Sequence, residues 1–520
     1  MKNREIGAAW AYHNGTKHSY ESVRRNAHYL DWENQPLPFK IYPQLEPIPL
    51  VQHLSASGVP ALTAISARSA DTGQPIIPTS QSLAEIFFLA AGITRRRSYP
   101  GGEILFRAAA CTGALYHIDL YLVCGDLADL EAGVYQFSPQ DFALRRLRAG
   151  DFRSFLASAS GEEPAIVNAP CAILSASTFW RNAWKYQARA YRHCYWDNGT
   201  LLANLVAAAA ARKIPAKLIL GFVDADVNRL LALDTEREAS LSLVALGQTS
   251  ARRIGQSPAL APLVLETTPL SKAEVDYPAL REMHEASSLE SEQEVKAWRE
   301  RAGKAEARRV KDKGGDARVF PFQLMADEEL PQDTVEEVIV RRGSTREFSR
   351  EAITVAQLST MIDRATRGVE TDFLSPTEAP LNDIYLIVHA VDGLPPGAYF
   401  YRCRERALEL LKAGAFRSEA GQLGLGQEIP ADSSVNIYFL VDLHHALERY
   451  GNRGYRVAQL EAAIMGGKLY LGAYAHRLGA SGLTFFDDDV SEFFSPHAVG
   501  KSVMFLIALG KSTKRGRAKT

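Results

Sequence analysis

Residues 120–153 read LYLVCGDLADLEAGVYQFSPQDFALRRLRAGDFR, and residues 384–417 read IYLIVHAVDGLPPGAYFYRCRERALELLKAGAFR. The two stretches align without a gap, so that Tyr121 and Tyr385 lie 264 positions apart. Further pairs at this spacing are Gly133 and Gly397, Arg189 and Arg453, and Arg192 and Arg456. An offset that stays constant over roughly 100 positions indicates an internal repeat rather than chance similarity. The sequence therefore predicts two copies of one domain.

Each copy contains short β-rich runs joined by glycine turns, followed by a long helix. In the first copy this helix includes the stretch 201–213, which is rich in Ala and Leu. Its small side chains would let a second helix approach closely. Strands joined by hairpins favour an α+β fold over a doubly wound parallel sheet. Because a homodimer has two equal sites at its two-fold interface, fused copies predict an intramolecular pseudo-dimer in which one of the two sites can be lost.

Three segments are predicted from this repeat. Residues 1–265 form the first domain with an N-terminal extension, residues 266–330 form a charged helical linker, and residues 331–520 form the second domain. The linker contains SLESEQEVKAWRERAGKAEARRVKDKGGDARV, residues 288–319, which is dense in charge and poor in aliphatic side chains. Such a run is typical of a solvated helix that ends at a flexible Gly-Gly break.

The composition excludes several classes of protein. The chain has 520 residues, is 46% hydrophobic and 23% charged, and carries a net charge of −1. These values are those of a globular protein, and they give no reason to expect a nucleic-acid or membrane partner. The five cysteines form no CxxC pair, so we expect neither a disulfide framework nor a metal site. No apolar run is long enough to span a bilayer, and we expect a cytoplasmic protein.

The second copy carries the motif RRGSTREF, residues 341–348. Its arginines, Ser344 and the free amides of a helix entry would suit a phosphate monoester. The same residues would equally suit a helix capping box, with Ser344 as the cap and Glu347 three residues later. The C-terminal tail GKSTKRGRAKT, residues 510–520, either is simply solvated or closes over the same anion.

The first copy carries the small-residue loop ACTGALYHIDLY, residues 110–121, which includes Thr112 and Gly113. A loop of this kind lets a flat ligand approach the backbone. The corresponding stretch of the second copy, residues 374–385, has two prolines that remove backbone donors, and Glu378 adds a charge. Each copy therefore keeps one half of a site.

The first copy also carries Lys185 and Tyr186 among aromatic residues. A desolvated lysine or tyrosine can act as a general base or acid. The alternative is aromatic core packing beside a lysine whose ammonium reaches solvent. The second copy has Arg449 and Tyr450 at the matching positions, and arginine does not act as a base near neutral pH.

The opening stretch YHNGTKHSYESVRRNAHYLDWENQPLPFKIYP, residues 12–43, resembles the N-terminal signature of SagB/ThcOx-type dehydrogenases, flavin enzymes of the nitroreductase superfamily. RRGSTREF is similar to the FMN phosphate motif of that superfamily. The resemblance implies an α+β fold with FMN at the interface between two domains. The residues that it assigns to the cofactor are Arg342, Ser344, Arg346 and Arg515 for the phosphate side, Thr112 and Gly113 as a cover, and the backbone at Thr484 and Phe485 for the flavin edge.

Only one FMN is expected per chain. A second site would need an arginine motif in the first copy and a small-residue loop in the second copy, and both are missing. The family often has Gly-His where this chain has Gly199-Thr200. The second copy also departs from the family's Gly-Phe pair, reading Phe485-Phe486, whereas the first copy keeps Gly221-Phe222.

In family members that oxidise azoline rings, a Lys-Tyr pair is linked to the chemistry, and Lys185 and Tyr186 match that pair. The resemblance therefore implies an FMN-dependent dehydrogenase that oxidises a modified peptide or azoline-type heterocycle. The alternatives are an NAD(P)H-dependent nitro or quinone reductase and a non-catalytic scaffold subunit. The expected partners are a small-molecule or peptide substrate and subunits of a biosynthetic complex, and oligomerisation beyond the pseudo-dimer is left open.

Overall fold

The computed structural model describes residues 2–26, 28–68, 74–99, 102–249, 255–304, 318–375 and 378–513, and it contains two copies of one α+β domain. The strands of the first domain are β1 (Pro47–Pro49), β2 (Ile93–Tyr99), β3 (Gly102–Arg107), β4 (Ile118–Cys124), β5 (Gly133–Ser138), β6 (Ala143–Ala149), β7 (Cys171–Thr178), β8 (Ala216–Ile219) and β9 (Glu238–Leu246). Those of the second are β10 (Val319–Pro321), β11 (Ile353–Thr354), β12 (Asp383–Val388), β13 (Val391–Asp392), β14 (Gly397–Arg402), β15 (Ala407–Ala413), β16 (Val435–Val441), β17 (Gly479–Gly482) and β18 (Ser502–Gly510).

The helices surround these strands. They are α1 (Gly7–Gly15), α2 (Tyr20–Arg25), α3 (Ala61–Ala64), α4 (Ser80–Ala91), α5 (Arg153–Ala159), α6 (Pro164–Val167), α7 (Phe179–Tyr186), α8 (Ala190–Ala211), α9 (Asp224–Leu230), α10 (Pro278–Ala286), α11 (Glu292–Lys304), α12 (Val335–Arg341), α13 (Val355–Thr366), α14 (Arg417–Leu423), α15 (Glu428–Asp432), α16 (Leu443–Tyr450), α17 (Arg453–Ala475) and α18 (Asp487–Phe493). Among the described residues, none of these helices combines the length and the apolar character that crossing a membrane requires.

Each domain has one antiparallel sheet of seven strands, and the two sheets have equivalent strand orders. The first order is β1-β6-β5-β4-β7-β9-β8, and the second is β10-β15-β14-β12-β16-β18-β17. The registers also match, because Tyr121 lies opposite Gln136 in the first sheet and Tyr385 lies opposite Phe400 in the second. The predicted α+β fold and its internal repeat are confirmed.

The long helices α8 and α17 pack against each other between the two sheets. A Cβ atom on Gly199 would lie 2.5 Å from the Cβ atom of Ala463, and one on Gly467 would lie 2.6 Å from that of Ala203. In each contact the two residues are counterparts in the repeat, since both pairs are 264 positions apart. Small residues therefore permit the close helix approach that the Ala-rich sequence predicts.

The domains are also joined by buried ion pairs. Asp487 of the second domain accepts hydrogen bonds from Arg192 at 2.6 Å and from Arg189 at 3.0 Å, both on the first domain. All three side chains are almost completely buried. Burial alone would raise the pKa of Asp487, but the two guanidiniums hold that pKa well below its ordinary value.

The reciprocal cluster has the same design with the domains exchanged. Asp224 of the first domain accepts hydrogen bonds from Arg456 at 2.6 Å and from Arg453 at 2.7 Å, both on the second. Burial opposes ionisation here too, yet the two arginines lower the pKa of Asp224 to about 2. Two acids that each bind the arginine pair of the other domain establish the pseudo-dimer.

The linker differs from the solvated helix that its charge predicts. Val295 and Trp298 lie three residues apart on α11, and both are completely buried. The Trp298 indole donates to the carbonyl oxygen of Tyr450 at 3.0 Å. One narrow apolar face is enough to dock an otherwise charged helix. In addition, β10 joins the second sheet through β15, so this sheet begins before residue 331.

Candidate functional site

The small-residue loop of the first domain lies directly against the tyrosine that the sequence singles out. Gly113 has a φ of 63°, in the left-handed region that favours glycine. A Cβ atom at this position would come within 2.9 Å of the Tyr186 Oη. The Tyr186 hydroxyl thus borders Gly113, so the loop and the Lys-Tyr pair belong to one site.

Asp197, on α8, fixes this loop. Its Oδ1 accepts hydrogen bonds from the Thr112 amide at 2.8 Å and from the Thr112 Oγ1 at 2.7 Å. Its Oδ2 is 2.9 Å from the His117 Nε2 and 3.1 Å from the Cys111 Sγ. Cys111, His117 and Asp197 are close enough to hold a metal ion. Their mutual hydrogen bonds account for the arrangement without one, because each of these groups already has a partner.

Asp197 is not among the site residues that the sequence predicted, although the sequence does carry a signal for it. Glu461 lies 264 positions later, and it accepts the amides of Leu381 at 2.8 Å and Asn382 at 2.9 Å in the matching loop of the second domain. A carboxylate retained at one register in both copies of a repeat indicates a shared structural task. Here that task is to accept backbone amides of the loop that would otherwise lack a partner.

Lys185 and Tyr186 end helix α7 and are both half-buried. The Lys185 Nζ lies 5.5 Å from the centre of the Tyr186 ring. The N-terminal extension supports this end of the helix: the His28 Nε2 is 2.9 Å from the carbonyl oxygen of Trp184, and the Trp184 indole donates to the carbonyl oxygen of Asp31 at 3.1 Å. The extension that carries the N-terminal signature thus positions the Lys-Tyr pair.

Arg346 of the second domain acts on this pair across the interface. Burial lowers the pKa of Lys185, and the positive charge of Arg346 lowers it further. Burial raises the pKa of Tyr186 well above its ordinary value, Asp197 and Cys111 raise it further, and Arg346 partly opposes them. At neutral pH Tyr186 therefore keeps its proton, whereas Lys185 loses its proton more readily than an exposed lysine does.

The RRGSTREF motif does not form the helix cap that was the alternative interpretation. Helix α13 begins at Val355, and its N-cap is Thr354, paired in a capping box with Gln357. Ser344 and Arg346 are instead exposed, and the Ser344 Oγ is 3.4 Å from the hydroxyl of Tyr470. Ser344 and the third guanidinium of the motif, that of Arg346, thus remain accessible.

Arg342 makes a contact that the sequence did not predict. Its Nε donates to the carbonyl oxygen of Ala108 at 2.9 Å, and its Nη2 donates to that of Arg107 at 3.1 Å. Both carbonyls belong to the first domain, so Arg342 joins the motif of one domain to the loop of the other. This leaves Arg342 with less hydrogen-bonding capacity for a phosphate than Arg346. Arg515 lies outside the described residues.

Thr484 and Phe485 follow the last residue of β17 closely. The Phe485 side chain is completely buried, and its ring lies 5.7 Å from that of Trp196. The Thr484 Oγ1 is buried and has no hydrogen-bond partner among the described residues. A buried hydroxyl without a partner is costly, and a ligand at this position would satisfy it.

The reciprocal interface is filled by the protein itself. The carboxylate of Asp372 accepts hydrogen bonds from the amides of Leu220 at 2.8 Å and Gly221 at 2.9 Å. These residues follow β8, as Thr484 follows β17 in the other domain. The buried ring of Trp298 packs on Gly221, where an added Cβ atom would lie 3.1 Å from it. A carboxylate and an indole thus lie against the turn after β8, whereas the Thr484 Oγ1 after β17 has no hydrogen-bond partner among the described residues.

This difference explains the departure at Phe485-Phe486. The ring of Phe222 lies under the guanidinium of Arg453 at 4.7 Å, as the ring of Phe485 lies under that of Arg189 at 5.4 Å. Phe222 is therefore the counterpart of Phe485, and the second domain has one residue fewer in this turn. The glycine of the Gly-Phe pair remains in the closed interface.

Comparisons with known proteins agree with this architecture. Residues 79–248 and 339–511 each match the model of the nitroreductase family. The chain is similar to a putative nitroreductase of Methanocaldococcus jannaschii, with 24% identity over 170 residues, which are 33% of this chain and 81% of that protein. It is also similar to the trifolitoxin operon protein TfxC of Rhizobium leguminosarum bv. trifolii, with 24% identity over 148 residues, which are 25% of this chain and 42% of TfxC.

A solved structure extends the similarity over both domains. The crystal structure of a putative nitroreductase from Anabaena variabilis superposes with a TM-score of 0.75 at 26% sequence identity. The match covers 97% of this chain and 99% of that one. The paired-domain architecture is therefore shared along nearly the full length of both proteins.

Proposed function

Because this chain belongs to the nitroreductase family, we propose that it is an FMN-dependent dehydrogenase that oxidises an azoline-type ring in a modified peptide. The observation that carries the proposal is the position of Lys185. This half-buried lysine, with a lowered pKa, lies beside Tyr186 and the loop at Gly113 and faces the charge of Arg346. Removing a hydride from a ring carbon requires that a base remove the neighbouring proton, and Lys185 is suited to that task.

The residues at the interface beside Thr484 fit FMN. Arg346 and Ser344 offer an exposed cation and a hydroxyl, which suit a phosphate and the ribityl chain. The unpartnered Thr484 Oγ1 offers a buried hydroxyl to the polar edge of the flavin ring. Thr112 and Gly113, beside Tyr186, would cover the ring from the first domain. When bound, FMN would supply the acceptor for the hydride.

The protein's own groups would then accept the substrate's proton and position the substrate ring. The neutral Nζ of Lys185 accepts the proton that leaves as the ring is oxidised. Tyr186 keeps its proton because its pKa is raised, so its hydroxyl donates a hydrogen bond to the substrate. Asp197 fixes the loop over the site through Thr112. The N-terminal extension, through His28 and Asp31, keeps the end of α7 in position.

The substrate class is supported by the likeness of the Lys185-Tyr186 pair to that of azoline-oxidising flavin dehydrogenases. The similarity to TfxC, named as a trifolitoxin operon protein, supports partners from a biosynthetic complex. The five cysteines are free thiols, which supports a reducing compartment such as the cytoplasm.

This function is tested by finding which compound reduces the bound flavin. The purified protein, loaded with FMN and held without oxygen, is mixed with a synthetic thiazoline peptide or with NADPH while its flavin absorbance is followed. We expect the thiazoline peptide to bleach the flavin and to lose two hydrogen atoms per ring, as measured by mass spectrometry. Bleaching by NADPH alone would contradict the proposal and favour a nitro or quinone reductase. A protein that takes up no flavin would instead be a scaffold subunit.

A further inference from the structure

One face of the first sheet is covered by two non-helical segments of the chain, residues 37–45 and 258–270. They pair with each other, since the Leu37 amide donates to the carbonyl oxygen of Leu270 at 2.8 Å and the Thr268 amide donates to that of Ile41 at 3.0 Å. Tyr42 lies in a buried apolar cluster with residues of the sheet, including Leu147. This face of the first domain is thus a groove that polypeptide already fills.

Lys40 lies at the base of the filled groove. Its Nζ is 2.7 Å from the Glu238 Oε2 and 3.3 Å from the hydroxyl of Tyr121. Its carbonyl oxygen accepts a hydrogen bond from the Gln136 side chain at 3.5 Å. The segment is therefore held by one buried ammonium and by backbone contacts.

The equivalent face of the second domain is an open groove of about 820 Å³. Tyr385, the counterpart of Tyr121, belongs to the strand at its base, and Phe400, the counterpart of Gln136, lines it. Leu411, which matches the buried Leu147 of the first domain, is half-buried and lines the groove too. Among the residues that the structure describes, the repeat therefore leaves a surface uncovered where the first domain binds polypeptide.

In the open groove of the second domain, the positive charge at the base comes from Lys501, a residue that lines the groove. The Lys501 Nζ is 2.6 Å from the hydroxyl of Tyr385 and 2.7 Å from the Asp383 Oδ2. In the first domain the ammonium that meets the matching tyrosine belongs to the bound segment. An occupant of the second groove therefore needs no lysine at that position, and one would be repelled by Lys501.

We infer that this groove binds a non-helical segment of a partner polypeptide, with aromatic and aliphatic side chains like those of PFKIYP, residues 38–43, but with a neutral residue where that segment has Lys40. The linker segment 305–317 fits poorly by sequence, because it has four basic residues and neither an aromatic residue nor a leucine or isoleucine. The inference concerns a surface apart from the Lys185 site and does not depend on the activity proposed above.

Two labelled nonapeptides test the inference by fluorescence anisotropy on the full chain. One is LPFKIYPQL, the sequence of residues 37–45, and the other carries the change equivalent to Lys40→Met. We expect the methionine peptide to bind at least about tenfold more tightly than the lysine peptide, which corresponds to about 1.4 kcal/mol. In a Lys501→Met variant this preference should shrink or reverse, because the repelling ammonium is gone.

Leu411→Arg should abolish binding of the methionine peptide, whereas Val264→Arg should leave it unchanged. Val264 is a matched control because it is an apolar residue that is 96% exposed and does not line the groove. Circular dichroism establishes that each variant is folded, and the Lys501→Met result stands even if Leu411→Arg misfolds. The inference is overturned if neither peptide binds, if both bind equally well, or if peptide binds only after residues 305–317 are deleted.

Discussion

Asp487→Asn should lower the free energy of unfolding by about 3–5 kcal/mol, because it leaves two buried guanidiniums without their counter-charge. Arg189 and Arg192 both donate to this carboxylate, and neither is solvent-exposed. The loss should fall on the contact between the domains, since the acid and the arginines come from different domains. Urea denaturation, followed by tryptophan fluorescence, measures it.

Asp488→Asn is the matched control at the adjacent position. The Asp488 side chain is 75% exposed and forms a surface ion pair with Lys17. Surface pairs of this kind contribute about 0–1 kcal/mol, so we expect little change. Equal effects of the two substitutions would show that the buried cluster does not hold the domains together.

The buried acids also predict loss of stability in acid. The pKa of Asp224 is lowered to about 2 in the folded protein, below its unfolded value of about 3.9. Its stabilising contribution is therefore fully present above the unfolded pKa and is lost as the pH falls from there toward 2.

Lys185→Met should lower the turnover of a thiazoline peptide by roughly 10²–10⁴-fold, the usual contribution of a general base. The flavin content should not change, because the residues proposed to hold FMN lie elsewhere. In the wild-type protein the rate should rise with pH, because only the neutral amine accepts a proton, and should level off at a pKa below that of an exposed lysine. Steady-state kinetics across pH, with the absorbance spectrum of each variant, measure both effects.

Lys272→Met is the control for this substitution, since the Lys272 side chain is 74% exposed and belongs to a surface pair. Its turnover and pH profile should match those of the wild-type protein. If Lys185→Met retained full turnover with an unchanged pH profile, a different residue would have to accept the proton. If it lost its flavin, Lys185 would be a cofactor ligand rather than the base.

Much of the fold could be predicted because a repeat doubles the information in the sequence. The offset between Tyr121 and Tyr385 alone fixes equivalent strands, and the structure shows them in equivalent registers. The Ala-rich stretch predicted a close helix pair, which Gly199 and Gly467 complete. These inferences hold because local patterns and register decide strand pairing and helix packing.

The features that could not be predicted depend on contacts between residues that are distant in sequence. Helix α11 has a high average charge, although one of its faces is apolar and buries Trp298. The prediction of a solvated helix was wrong because composition gives one average for all faces of the helix. Asp372 closes the reciprocal interface by accepting the amides of Leu220 and Gly221, some 150 residues away in sequence. No local sequence pattern predicts a contact of this kind. Arg342 belongs to the predicted phosphate motif and also binds two carbonyl oxygens of the first domain. The second contact depends on the packing of the two domains and could not be predicted from the motif.

The most direct test is the amount of flavin that one chain binds. The protein is saturated with FMN, freed of excess cofactor by gel filtration, and its flavin absorbance is compared with its concentration from amino-acid analysis. One FMN per chain is expected, because the Thr484 Oγ1 has no hydrogen-bond partner among the described residues, whereas Asp372 and Trp298 fill the reciprocal interface. Two FMN per chain, or none after saturation, would contradict the account.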